Sequence, residues 1–372
     1  MKEVKLQEIC RIEKGKQIDT SQLSTDSPYK YINGGIKESG YYHEYNTDSE
    51  AVLVSEGGAS CGYVNYVNEK FWCGCHCYKL TESKTLAKYL YYALKGNQDK
   101  IMELRSGAAM PNIKKEVFKN MSLLVDFDKN NQQAIVETLD CIQKAINNKA
   151  DELLSLDELV KSRFIEMFGD VVRNDKKWET HIITKVCPIK QYDGTLSQVN
   201  NKYWLLNLDL IESNTGTILD KYYADKKEIG NSTITFSENN VLYSKLRPYL
   251  NKVVLPDGNG YATSELIPFL PLEKINKYYL AYALRSDSFV TLVNSKAGGA
   301  KMPRAPMDFI RSFPLPVPPI SLQNEFAEFV KLIDKSKFVC HSKNFLCDIF
   351  TFSSSTIAYP SVVSIFVCPK RC

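Results

Sequence analysis

The chain has 372 residues, 44% hydrophobic and 24% charged, the composition of a globular protein long enough for two cores rather than one. A formal net charge of +4 excludes a polybasic binder, so any nucleic-acid surface must arise from local placement of Lys and Arg. No apolar run reaches the roughly 18 residues needed to cross a bilayer, and the opening MKEVKLQEIC lacks a signal peptide's apolar segment, so the expected location is the cytoplasm, with no membrane partner.

In chain order, AVLV at 51–54, CGYVNYV at 61–67 and FWCGCHCYKL at 71–80 read as strands, and KYLYYALKGNQDKIMEL at 88–104 as a short helix. The third of these strands holds three cysteines and a histidine. Alternation on a strand turns Phe71, Cys73, Cys75 and Cys77 to one face and Trp72, Gly74, His76 and Tyr78 to the other. Structural zinc draws on CxxC turns from two separate segments, and no second pair occurs, so a buried strand of small residues is expected, with a redox role as the alternative. The eleven cysteines overall read as free thiols in a reducing compartment.

From 131 to 168 the residues Ile135, Leu139, Ile142, Ile146, Lys149, Leu153, Leu156, Val160, Arg163 and Met167 repeat at spacings of 4 and 3. That is a coiled-coil seam, closed by Gly169. Such a helix is roughly 55 Å long, which suits a rigid spacer. A helix packed on one globular core is the plainer alternative.

Beyond it the first part recurs. AVLVSEGGAS at 51–60 aligns with NVLYSKLRPY at 240–249, and the same offset of 189 lays WCGCHCYKL on YATSELIPF. KYLYYALK at 88–95 matches YLAYALR at 279–285, and SGAAMPNIKKEVFKNMSLLV at 106–125 matches GGAKMPRAPMDFIRSFPLPV at 298–317. Both copies lead into an amphipathic helix, QQAIVETLDCI from 132 and QNEFAEFVKLI from 323. A duplication follows. The second copy contributes Phe326, Val330 and Ile333 at seam spacing, so the two helices are expected to pair antiparallel. The expected fold is α+β: two similar mixed sheet/helix domains joined by a long coiled-coil helix in a pseudo-twofold dumbbell. Its boundaries are 1–128, 129–170 for the spacer helix, 171–320, 321–339 for the start of a second helix, and 340–372 for an atypical tail.

Catalytic signatures are missing. Neither GxxxxGK[ST] nor GxGxxG occurs, nor an Asn-Pro-Pro-aromatic run, and His43, His76, His181 and His341 have no metal-ligand spacing. No catalytic or metal residue is assigned; Asp225-Lys226-Lys227 could be written into a nuclease site, but such triplets arise in any charged chain. The loops carry more. Lys245, Arg247 and Tyr249 in YSKLRPYLNK, and Lys296, Lys301 and Arg304 in KAGGAKMPR, suit phosphate neutralisation and base-edge contact. The first copy offers Lys14 and Lys16, then Ser55, Gly57 and Gly58, then Arg105 and Asn112.

The half-repeats open near LQEICRIEKGKQI and ITKVCPIKQYDG, continue through VLVSEGG and VLYSKLRPYLNK to GAAMPNI and GAKMPR, and end in MSLLVDFDKNNQQAI and FPLPVPPISLQNEF. In this order of parts the chain resembles the specificity subunit of type I restriction-modification enzymes. The resemblance implies a non-catalytic reader of double-stranded DNA whose two target recognition domains each read half of a bipartite sequence. Its helices would dock two methyltransferase subunits, with Ile135, Leu139, Ile142, Ile146, Leu153, Leu156, Val160, Phe326, Val330 and Ile333 as the docking set, and the complex would recruit restriction subunits. S-adenosylmethionine, ATP and Mg would act in those partners, and none in this chain. Past Val339 the heptad pattern is lost where the family continues a helix, so a second helix short or disrupted by a frameshift is expected. A self-contained nuclease or methyltransferase with a diverged site, and a coiled-coil adaptor that touches no DNA, stay open as alternatives.

Overall fold

The computed structural model describes residues 1–107, 110–299 and 301–341; beyond His341 the tail read as atypical lies outside the described residues. The chain forms two compact units, Met1–Asn148 and the described residues from Lys149 onward, each with its own apolar core.

In the first unit β1 (Lys2–Lys5), α1 (Leu6–Ile9) and β2 (Arg11–Lys14) precede β3 (Tyr29–Ile32), β4 (Gly40–Tyr42), β5 (Ala51–Ser55), β6 (Val64–Val67), β7 (Phe71–Cys73) and β8 (Cys77–Thr81). One sheet has the order β2-β8-β5-β6, antiparallel throughout. The other has the order β4-β3-β7, with β3 and β7 parallel. Then come α2 (Ala87–Lys95), α3 (Gln98–Glu103), α4 (Lys115–Lys119) and β9 (Ser122–Val125), which returns antiparallel to β1. The apolar run of β5 is explained by burial on both faces. Val52 and Val54 enter the main core with Tyr78, Leu90 and Phe118, while Leu53 enters a second cluster with Phe71, Cys73 and Cys77.

After the 40-residue helix α5 (Lys129–Phe168), the second unit begins with β10 (Thr180–Ile182), α6 (Ile183–Val186), β11 (Gln198–Val199), β12 (Lys202–Leu206), β13 (Tyr223–Ala224) and β14 (Thr233–Phe236). It continues with β15 (Val241–Ser244), β16 (Val253–Val254), β17 (Gly260–Thr263), β18 (Leu266–Phe269), α7 (Lys277–Arg285), α8 (Asp287–Lys296), α9 (Met307–Ser312), β19 (Pro314–Pro316) and α10 (Ile320–His341). The duplication holds at the level of register. Val52↔Leu80 and Val54↔Tyr78 in the first unit become Val241↔Phe269 and Tyr243↔Ile267 in the second, at the offset of 189. Likewise β10-β19 repeats β1-β9, and β12 between β13 and β17 repeats β3 between β4 and β7. Cys10 and Cys187, each just after the short helix of its unit, are both buried, and burial pushes each thiol up to about 12.

Three expectations need correction. FWCGCHCYKL is two strands, because the chain crosses from one sheet to the other at Gly74, where a Cβ would meet the Asn33 carboxamide oxygen at 2.3 Å. Cys73 and Cys77 are buried, as expected, but Cys75 is turned half out in the intervening turn, so the alternation fails there. YATSELIPF divides in the same way into β17 and β18. The helix at 88–104 is α2 and α3, and the matching YLAYALR lies in α7, which is likewise followed by a separate helix, α8, after Ser286.

The seam of α5 is a core face at its two ends. Ile135 and Leu139 belong to the first core; Val160, Phe164, Met167 and Phe168 belong to the second, together with Phe326, Val330 and Ile333. Between them Ile146 is 40% exposed. The helix thus packs on a different core at each end, rather than on the one globular core of the plainer alternative. Within the second unit α10 does run antiparallel to α5: Arg163 donates to Glu325 at 3.0 Å, Phe164 meets Phe326 edge-on at 5.4 Å, and Lys337 bonds Asp157. The described part of α10 has 22 residues.

Candidate nucleic-acid interface

Strand β5 ends in the loop Ser55–Gly58, and β15 in the loop Ser244–Arg247. In the first unit Glu56 N–H donates to His76 O (2.8 Å), Ile113 N–H to Glu56 O (2.8 Å) and Gly58 N–H to Pro111 O (3.0 Å), while Ser106 and Asn112 exchange both backbone bonds. In the second unit Lys245 N–H donates to Glu265 O (3.0 Å), Ala305 N–H to Lys245 O (2.8 Å) and Arg247 N–H to Pro303 O (2.7 Å), and Gly298 and Arg304 exchange theirs. Every bond of one junction recurs in the other at an offset of 189 or 192. The two loops singled out in each copy are therefore brought together on the same backbone frame, which leaves the side chains free to differ.

They do differ. Glu56, Gly58, His76 and Asn112 stand where the second unit has Lys245, Arg247, Glu265 and Arg304. Gly58 has φ +79° and Arg247 φ +49°, so the same left-handed corner is made with glycine in one copy and with arginine in the other. Arg247 Nε is buried there without a hydrogen-bond partner. The Arg304 guanidinium forks onto Glu265, at 2.8 and 3.2 Å, and this bonding holds the Glu265 carboxyl below the usual carboxylate range. Lys14 reaches Glu56 at 2.7 Å.

The expected site residues sort into three groups. Asn112, Tyr249, Lys296, Lys301, Lys14, Lys16 and Arg304 are exposed, and Gly57, Gly58, Lys245 and Arg247 are half-buried in the junctions. Ser55 is a correction: it is buried, with its hydroxyl donating to Gly34 O at 2.8 Å, because both faces of β5 are covered. Arg105 is another: its guanidinium turns inward, donating from Nε to Cys61 O at 2.9 Å. Of the expected docking set, Ile135, Leu139, Ile142, Val160, Phe326, Val330 and Ile333 are buried, Leu153 and Leu156 are half-buried and Ile146 is exposed. Leu154, Leu159, Ile165, Ile320 and Leu332 are exposed apolar side chains of α5 and α10, alongside Ile146. Sequence reasoning missed Glu56 and Glu265. The signal was present in the repeat, which sets Glu56 opposite Lys245 and His76 opposite Glu265.

Among the described residues no group of three His, Cys, Asp or Glu side chains is placed to hold a metal ion. Cys73 bonds Cys77 side chain to side chain, and that bond together with burial pushes the Cys73 thiol far up.

The family model of the type I restriction modification DNA specificity domain matches residues 1–156 and 175–343. The chain belongs to this family. The two matches of the specificity-domain model fall one on each side of the interval 157–174. A candidate type I specificity subunit of Mycoplasma genitalium is 29% identical over 193 residues, 51% of this chain and 49% of the relative. The chain thus spans about half the length of the Mycoplasma relatives it matches. The specificity subunit of the type I restriction enzyme EcoDI of Escherichia coli is 22% identical over 364 residues, 89% of this chain and 80% of the relative. The crystal structure of a type I restriction-modification system S subunit from M. genitalium shares the fold, with a TM-score of 0.60 at 18% identity, covering 100% of this chain and 96% of that one.

Proposed function

We propose that the chain is the DNA-reading subunit of a type I restriction-modification system, each unit recognising one half of a split target in double-stranded DNA. The observation that carries this reading is the junction built twice. Two identical backbone frames with unlike side chains, Glu56/Lys245, Gly58/Arg247, His76/Glu265 and Asn112/Arg304, are what reading two unlike half-sites requires. Backbone geometry fixes the pose, and side chains choose the bases. Helix α5, about 60 Å long if straight, would fix the unread gap between the halves. The chain itself would be non-catalytic and cytoplasmic. Methyltransferase and restriction subunits would supply the chemistry, using S-adenosylmethionine, ATP and Mg. Methyltransferase docking would fall to Ile146 of the seam and to Leu154, Leu159, Ile165 and Leu332, which are exposed, rather than to the buried seam residues.

The experiment is selection from a pool of randomised duplexes by the purified chain in complex with its methyltransferase subunit. Enrichment of a split sequence with a constant gap supports the reading. A continuous motif, or none, contradicts it. A self-contained enzyme would instead modify or cut DNA without partners, and an adaptor would enrich nothing.

A further inference from the structure

The second sheet of each unit, distinct from the junction loops, carries an exposed arrangement that the repeat alignment does not predict. In the first unit the rings of Tyr29 and Tyr45 lie 5.0 Å apart, Lys70 Nζ sits 4.4 Å over the Tyr45 ring, and Lys70 donates to the Tyr45 hydroxyl at 2.9 Å. In the second unit the rings of Tyr203 and Tyr261 lie 5.5 Å apart, Lys226 Nζ sits 4.4 Å over the Tyr261 ring, and Lys226 bonds the Tyr261 hydroxyl. Each is a tyrosine pair capped by a lysine.

Tyr29 and Tyr203 are the same position. Register places Tyr31 beside Trp72 and Leu205 beside Tyr261, and Trp72 and Tyr261 correspond at the offset of 189, so the residue two before is Tyr29 in one unit and Tyr203 in the other. The other members are not equivalent: Tyr45 and Lys70 have no counterparts in Tyr261 and Lys226. The same surface has therefore been assembled from different residues around one shared tyrosine.

Nothing in the cores needs it. Tyr45 is 41% exposed, and Lys70 and Lys226 are exposed. What the tyrosines do is hold a cation and two hydroxyls in place on the surface before any ligand arrives, which lowers the entropy lost on binding. Carboxylates stand among them: Asp48 is 3.8 Å from Lys70, Glu69 pairs with Lys30, and Asp225 is 3.7 Å from Lys202. A phosphate strand would be repelled by those acids. Base edges would not, since guanine presents acceptors to an ammonium and cytosine a donor to a carboxylate.

Resting on the DNA-reading function proposed above, we infer that these lysine-capped tyrosine pairs are base-reading surfaces, Tyr29-Tyr45-Lys70 for one half-site and Tyr203-Tyr261-Lys226 for the other.

The test is the duplex selection run in parallel with wild type, Lys70→Ala and Lys226→Ala, each full-length with its methyltransferase subunit, after thermal unfolding has verified that both variants fold. Each variant is expected to lose about tenfold discrimination at one or two positions of a single half, a different half for each, with the gap and the other half unchanged. Enrichment of the wild-type sequence by both variants would overturn the inference while leaving the proposed function intact, as would a uniform loss of affinity with a shallower salt dependence, the mark of a phosphate contact. A wild type that enriches no split sequence would instead overturn the proposed function, and this inference with it.

Discussion

Gly58 and Arg247 occupy one backbone position in two copies of the same junction, at φ +79° and +49°, each donating its N–H to a proline carbonyl, Pro111 and Pro303. The left-handed corner comes from the frame rather than from the residue. Glycine adopts it freely, and arginine is held in it by the surrounding bonds.

Because nothing lies within 4 Å of a Cβ built on Gly58, Gly58→Ala meets only the cost of the left-handed backbone. The expected loss is about 1 kcal/mol in chemical denaturation of the first unit. Gly15→Ala should be far worse, since its Cβ would meet the carbonyl oxygens of Gly74 at 2.2 Å and of Cys73 at 2.5 Å, both backbone atoms. Equal losses at the two sites would contradict the strain argument.

Gln132 and Gln323 are both fully buried at the starts of the two long helices. Gln132 accepts from Leu86 N–H at 2.8 Å and donates to Asp126 O at 2.7 Å; Gln323 accepts from Asn276 N–H at 2.9 Å and donates to Pro318 O at 2.7 Å. Alanine strands two backbone groups at Gln132 and three at Gln323, which also donates to Lys274 O at 3.0 Å, at a cost of roughly 1–3 kcal/mol for each group left buried. Gln132→Ala should lower the first unit's transition and Gln323→Ala the second's, as followed by hydrogen exchange of each core.

The Arg304 guanidinium holds Glu265 below the usual carboxylate range. A depressed carboxyl contributes stability that is complete above its unfolded pKa and is lost as pH falls through the folded value. Wild type should therefore melt higher than Glu265→Gln at neutral pH, and the gap should close on acidification below the ordinary carboxylate range. A gap that stays constant with pH would show that the pair is not what stabilises the junction.

Seven residues inserted after Asn148 in heptad register would extend α5 by about 10 Å. With α5 as the spacer, the selected DNA should keep both half-sites and change only its gap. Altered bases with an unchanged gap would show that the helix does not set the spacing.

The strand pairs were legible in the sequence because a duplicated chain aligns with itself: matching Val54 to Tyr243 and Tyr78 to Ile267 fixes a register that neither copy reveals alone. What escaped depends on distant neighbours. The break at Gly74 is set by Asn33, just past the end of β3, and Cys73 and Cys77 on either side look like continuous alternation. Ser55 reads as a loop serine until the burial of both faces of β5 is seen. The seam of α5 has the spacing of a coiled coil, yet Ile135 and Val160 are apolar because each faces a globular core. Arg304 was legible as a cation, but its carboxylate partner Glu265 lies 39 positions away.

The most direct measurement is to produce the full chain with its methyltransferase subunit in a host free of DNA methylation and to map modified adenines across the genome. The account predicts modification at a split sequence of two unlike halves separated by a constant gap. An unmodified genome, or modification at a single uninterrupted motif, would contradict it.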